Sequence, residues 1–167
     1  REDRRHIHDS DAKNIIELSH LPVNLECAIE PSMIDIACNL HPHRVTLVPE
    51  KREEVTTEGG LNVEGEQLIL KEAILRLQAK EIEVSLFIDP NEEMMRLSKD
   101  LKVEWIELHT GTYANIYAML FGGLSNTHHS IDDLDLPRDE LTSKLKKSKK
   151  EIKESTKIAC ELGLKVA

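Results

Sequence analysis

Residues 44–60 read Arg-Val-Thr-Leu-Val-Pro-Glu-Lys-Arg-Glu-Glu-Val-Thr-Thr-Glu-Gly-Gly. The first five predict a compact buried strand, closed by Pro49. Charged residues from Glu50 to Glu54, the hydroxyls of Thr56 and Thr57, and Gly59-Gly60 follow before the next helical pattern begins. A connection between strand and helix usually takes about two to six residues, and this one is much longer. Its length and its closing glycines predict a mobile lid. Lys51, Arg52, Thr56 and Thr57 supply donors suited to a phosphate or a sugar. The same composition also suits a solvated surface loop.

Outward from this stretch, strand and helix patterns alternate from Val23 to Val166. Val23–Ala28 predicts a strand. Pro31 sits in the first turn of a helix whose stripe is Met33, Ile36, Ala37 and Leu40. A helix over 64–79 buries Leu70, Ala73, Ile74 and Leu77, a strand follows over 82–88, and Asp89-Pro90 stops it. A short helix carries Met94, Leu97 and Leu101, a strand runs from Val103 towards Thr110, and a helix begins near Tyr113. Residues 120–136 lose all periodicity and are expected to form an exposed insertion. A long helix then runs from Pro137 to Gly163, a C-cap, burying Leu141, Leu145, Ile152, Thr156, Ala159 and Leu162. Near the N-terminus Asp9 or Asp11 caps a helix with Ile15, Ile16 and Leu18 as its buried stripe.

Such alternation means an α/β fold with a parallel sheet. Glu26, Glu50, Asp89, Glu107 and His109 gather where the strands end, as at the rim of a (β/α)8 TIM barrel. The glycine-rich phosphate loop of a doubly wound sheet is missing. A full barrel takes about 250 residues. The expectation is therefore one barrel domain over 1–167, incomplete at both ends and lacking its first and last strands.

With 167 residues, 40% hydrophobic, the chain can bury a substantial core. A net charge of −9 argues against nucleic acid as a partner. No apolar run approaches the ~20 residues of a membrane span. The charged opening residues do not read as a signal peptide, and Cys27, Cys38 and Cys160 lack paired spacing, so a cytoplasmic protein with reduced thiols is expected. His6-x-His8, His41-Pro42-His43 and His128-His129 have no partner at ligand spacing, so no metal is expected. Lys144, Lys146, Lys147, Lys149 and Lys150 read as a solvated helix face, with Glu151 and Glu154 in helical reach.

Two carboxylates stand out. Glu26 lies inside a strand read as buried, where an unpaired charge costs several kcal/mol or more; it must be paired, protonated or in use, with a structural ion pair and a catalytic role as the two readings. Glu107 shares a strand face with Trp105 and His109. None of the interior strand positions is lysine, which disfavours a Schiff-base aldolase.

Arg-Glu-Asp-Arg-Arg-His-Ile (1–7), Asn-Leu-Glu-Cys-Ala (24–28), the 48–60 stretch, Val-Ser-Leu-Phe-Ile-Asp (84–89) and Glu-Leu-His-Thr-Gly-x-Tyr-Ala (107–114) together resemble the pyridoxine 5′-phosphate synthase family. The resemblance covers essentially the whole chain. It implies a (β/α) barrel that condenses 3-amino-2-oxopropyl phosphate with 1-deoxy-D-xylulose 5-phosphate, releasing phosphate and water. Glu26 takes the position of the general base, and Glu107 that of the carboxylate stabilising the transition state. Arg1, His6 and Thr56 take positions that hold the deoxyxylulose phosphate. Neither metal nor organic cofactor is implied; the partners are small phosphorylated substrates and further copies of the chain in a homo-octamer. Family elements with further histidines, before Arg1 and after Ala167, are not in this sequence, so residues 1–167 alone are not expected to turn over. The rival reading is a non-catalytic phosphosugar-binding or regulatory protein on the same scaffold; an unrelated barrel isomerase or aldolase ranks third.

Overall fold

The computed structural model describes residues 6–49, 59–122 and 134–167. Its strands are β1 (Asn24–Cys27), β2 (Arg44–Leu47), β3 (Glu83–Ile88), β4 (Trp105–Leu108) and β5 (Lys165–Val166). Its helices are α1 (Asp9–Leu18), α2 (Pro31–Leu40), α3 (Gln67–Gln78), α4 (Glu92–Asp100), α5 (Gly111–Phe121) and α6 (Arg138–Glu161). The strands form one parallel sheet in the order β1-β2-β3-β4-β5. Chain order and spatial order coincide, so the described sheet has no reversal point and is not doubly wound.

Side chains of one parity are apolar in every strand: Leu25 and Cys27, Val45 and Leu47, Val84, Leu86 and Ile88, Ile106 and Leu108, then Val166. They share one core with Met33, Ile34 and Ala37 of α2, Leu70, Ala73, Ile74 and Leu77 of α3, Met95 of α4 and Ala159 of α6. The other parity carries Asn24, Glu26, Arg44, Thr46, Glu83, Ser85, Phe87, Trp105, Glu107 and Lys165. Helices thus cover one face, and the other is polar apart from Phe87 and Trp105. The reading of residues 44–48 as a buried strand holds in β2, where Val45, Thr46 and Leu47 are all buried; its side chains alternate in polarity because only the face of Val45 and Leu47 meets helices.

The helical stripes hold in α3, where all four expected residues are buried. In α4 the buried residues are Met95 and Ser98, one step along from Met94 and Leu97, which pack only partly. In α1 only Ala12 is buried, while Ile15 is 48% and Leu18 76% exposed. That helix packs on α2 and contributes nothing to the sheet core, which leaves Ile15 and Leu18 exposed. In α6 the small residues Ser148 and Ser155 are buried, with Leu145, Ile152, Thr156 and Leu162 half-buried around them. Gly163 adopts φ +78°, and the Leu164 N–H reaches back to the Ala159 carbonyl at 2.9 Å, which ends α6 as expected.

Leu120 is buried with Ile116, Met119 and Leu141 in a second apolar cluster, against which Leu134 and Leu136 pack. Those ends of the 120–136 stretch are therefore packed rather than loose; residues 123–133 lie outside the described residues. Among the described residues no helix is long and apolar enough to cross a membrane.

Candidate active site

Strand register builds the site. Along the polar face Glu26 stands beside Thr46, Thr46 beside Ser85, and Ser85 beside Trp105; one step nearer the C-terminal ends, Phe87 stands beside Glu107. These strand ends border a cavity of about 380 Å³ lined by His6, Asn24, Glu26, Ala28, Val48, Phe87 and Glu107 among others. Three of the five expected site residues, His6, Glu26 and Glu107, therefore meet at one place. Arg1 and Thr56 lie outside the described residues, as do Lys51, Arg52 and Thr57 of the expected lid.

The two carboxylates differ in setting. Glu26 is exposed, which corrects its placement inside a buried strand. Its strand is at the edge of the described sheet, and its parity turns it away from the helices. The argument that it must be paired, protonated or in use to survive burial therefore lapses. Glu107 is half-buried, and its pKa is raised above the usual carboxylate value. Burial is the main cause and the Glu26 charge the second; Arg44 and Thr46 pull the other way. The Glu26 and Glu107 charges thus act on each other across the cavity.

Beneath the cavity, near the N-terminal ends of the strands, lies a charged floor that the sequence reading missed. Glu83 accepts a hydrogen bond from Trp105 Nε1 at 2.7 Å and pairs with Lys165 Nζ at 2.8 Å. Lys165 is the first cause of a Glu83 pKa below the usual value, with Trp105 adding to it against the opposing effect of burial. Arg44 Cζ lies 3.9 Å from the centre of the Trp105 ring, and Lys165 Nζ 4.8 Å. Lys165, the exposed first residue of β5, is no interior strand lysine, and its amine is held by Glu83 in the floor. The signal was available: Arg44 and Thr46, Glu83 and Ser85, and Trp105 and Glu107 each repeat at a spacing of two.

The rim holds another pair. Asp89 Oδ1 accepts the Gly60 N–H at 3.1 Å and lies 2.9 Å from His109 Nδ1. The His109 ring meets Phe87 edge-on, with centroids 5.3 Å apart. A Cβ at residue 60 would come within 2.4 Å of the Asp89 nitrogen, so only glycine fits there. Asp89, read only as a strand stop with a polar side chain at the rim, thus fastens the far end of the long connection to the strand that carries Glu107.

His41 and His43 have structural roles. His41 ends α2 in the left-handed region at φ 52°, with Nδ1 2.8 Å from the Cys38 carbonyl oxygen. His43 Nδ1 accepts the Val23 N–H at 3.1 Å. Among the described residues no group of three His, Cys, Asp or Glu side chains could hold a metal ion. On α6, Lys147–Glu151 and Lys150–Glu154 pair at 3.7 and 3.6 Å in water, a solvated face as expected.

Residues 1–167 match the family described as "Pyridoxal phosphate biosynthesis protein PdxJ". A pyridoxine 5′-phosphate synthase from a Sulfurovum species is 70% identical over all 167 residues, which make up 65% of that protein. The namesake from Aliarcobacter butzleri is 64% identical over the whole chain and 64% of its own length. That from Helicobacter hepaticus is 44% identical over 95% of the chain and 60% of its own length. The chain therefore spans somewhat less than two thirds of the curated relatives it matches. It belongs to the PdxJ family of pyridoxal phosphate biosynthesis proteins.

Proposed function

We propose that the chain serves the reaction of a pyridoxine 5′-phosphate synthase, the condensation of 3-amino-2-oxopropyl phosphate with 1-deoxy-D-xylulose 5-phosphate that yields pyridoxine 5′-phosphate, phosphate and water. One observation carries the reading: His6, Glu26 and Glu107 line a single cavity at the C-terminal ends of parallel strands. Glu26, open to the cavity, removes protons as the ring forms. Glu107 keeps its proton to higher pH than an ordinary glutamate, so it offers a hydrogen bond to oxygen as charge develops there. His6, with Arg1 and Thr56, holds the deoxyxylulose phosphate. The five-strand sheet, wound in one direction with helices on one face, supports a closed (β/α)8 barrel with its polar face inward. Assembly as a homo-octamer in the cytoplasm belongs to the same proposal.

The test places this chain in the Sulfurovum relative in exchange for its matching residues, with and without Glu26→Gln or Glu107→Gln. The chimera is expected to form product. Glu26→Gln is expected to lower kcat by about 100-fold or more while phosphosugar binding, read by calorimetry, survives. Binding without product in the unsubstituted chimera would favour the non-catalytic binding protein, and a Glu26→Gln variant with undiminished kcat would remove Glu26 from the role of base.

A further inference from the structure

The charged floor beneath the cavity has no part in the proposed reaction, yet one of its members is built differently from the rest. Glu83, Trp105 and Lys165 satisfy one another. Arg44 makes no ion pair among the described residues, and its Nε is buried without a hydrogen-bond partner among them. What seats the guanidinium is the Trp105 ring, 3.9 Å from Cζ. A carboxylate partner would cancel the charge locally, whereas a ring face holds the cation and leaves most of its field free. Two positions further along the same face, Trp105 leads to Glu107 and Arg44 leads to Thr46, the neighbour of Glu26. A positive charge that makes no ion pair among the described residues, though it also acts on its register neighbour Glu83, thus lies under two carboxyls that repel each other.

We propose that Arg44, seated over Trp105, is a positioning residue for Glu107, its guanidinium field setting how readily that carboxyl ionises in the cavity. The proposal deepens the synthase reading and rests on it for its purpose, but its physical content does not depend on turnover. The groups that act on Glu107 are Glu26 on β1 and Arg44 and Thr46 on β2; His6 lines the same cavity, and the remaining charged groups of the packed strands and their rim are Glu83 on β3 with its partner Lys165 on β5, and Asp89 with His109. Of the cations among them, Lys165 is paired with Glu83, and Arg44, whose charge also bears on Glu83, is the one that acts on Glu107 against the Glu26 charge. Arg44 acts on Glu107 in the direction this requires, against burial and against Glu26.

The experiment follows the side-chain carboxyl carbon of Glu107 by NMR through a pH titration of the 167-residue chain. Arg44→Met should raise the Glu107 midpoint, and Arg44→Lys, which restores a charge without the planar fork, should bring it back towards the parent value. Arg44→Gln repeats the neutral test if the methionine variant fails to fold. Trp105→Phe keeps a ring face and drops only the Glu83 hydrogen bond, and should leave the midpoint in place. A folded neutral variant with an unshifted midpoint would overturn the proposal. So would a lysine variant that behaves like the neutral ones, or a rise in Trp105→Phe equal to that in Arg44→Met. Failure of the synthase reading appears elsewhere, as absence of product in the chimera, and leaves this titration intact.

Discussion

The two faces of the sheet are made by the same strands, residue by residue in alternation, and they obey different rules. On the helix-covered face Val45, Leu47, Val84, Leu86, Ile88 and Ile106 are wholly buried in one core with apolar residues from four helices. On the polar face Thr46 and Ser85 are equally buried, yet the Ser85 hydroxyl has no hydrogen-bond partner among the described residues, and a carboxyl two strand positions away is pushed from its ordinary pKa. A buried polar group left unmatched lowers stability, so natural folds retain such groups mainly where they serve function. One face holds the fold together, and the other keeps its chemistry at some cost to stability.

The largest effect should come from the apolar face. Leu86 is fully buried, and Leu86→Ala is expected to lower unfolding stability by about 2–5 kcal/mol in urea titration. A loss below about 1 kcal/mol would mean that the face is far looser than this packing implies.

A smaller and pH-dependent effect belongs to the polar face. The folded-state pKa of Glu83 is lowered, so its contribution is present above the unfolded carboxylate value and is lost as pH falls through the folded one. Glu107 has the opposite sign: with its folded pKa raised, its contribution is complete below the unfolded value and disappears as pH rises through the folded one. Glu83→Gln should therefore flatten the acid side of the stability–pH curve, and Glu107→Gln the side above it. The Glu83–Lys165 pair is about half exposed and so is worth about 0–1 kcal/mol. Curves that keep their shape in both variants would remove the electrostatic distinction between the faces.

The smallest effect is expected at Ser85. Ser85→Ala removes a hydroxyl without a protein partner and should be neutral or stabilising by less than about 1 kcal/mol. A clear loss in the same urea titration would show that the hydroxyl is structurally engaged after all, and that the polar face contributes to the fold as the apolar one does.

How far the sequence carries the reader depends on the range of the interaction. The order of strands and helices, the stripe of α3 and the glycine stop of α6 follow from local periodicity and backbone preference, and all were legible. Glu107 and Glu26 were legible as strand carboxylates, but their burial was not. Whether a strand lies at a sheet edge is decided by neighbours distant in the chain, and so Glu26 was read as buried and is exposed. The Arg44–Trp105–Glu83–Lys165 floor joins residues up to 121 positions apart, and no window along the chain contains it. The Asp89–His109 pair is hidden for a similar reason: an aspartate before proline reads as a strand stop, and only register brings a histidine twenty positions later beside it.

The central claim is that Glu26 and Glu107 confront each other across one cavity on the polar face. It is tested most directly by titrating the Glu107 carboxyl in Glu26→Gln against the unsubstituted chain. With the neighbouring charge removed, the midpoint should fall towards the ordinary glutamate value while burial keeps it above that value. An unchanged midpoint in a folded Glu26→Gln chain would contradict the claim and separate the two carboxyls.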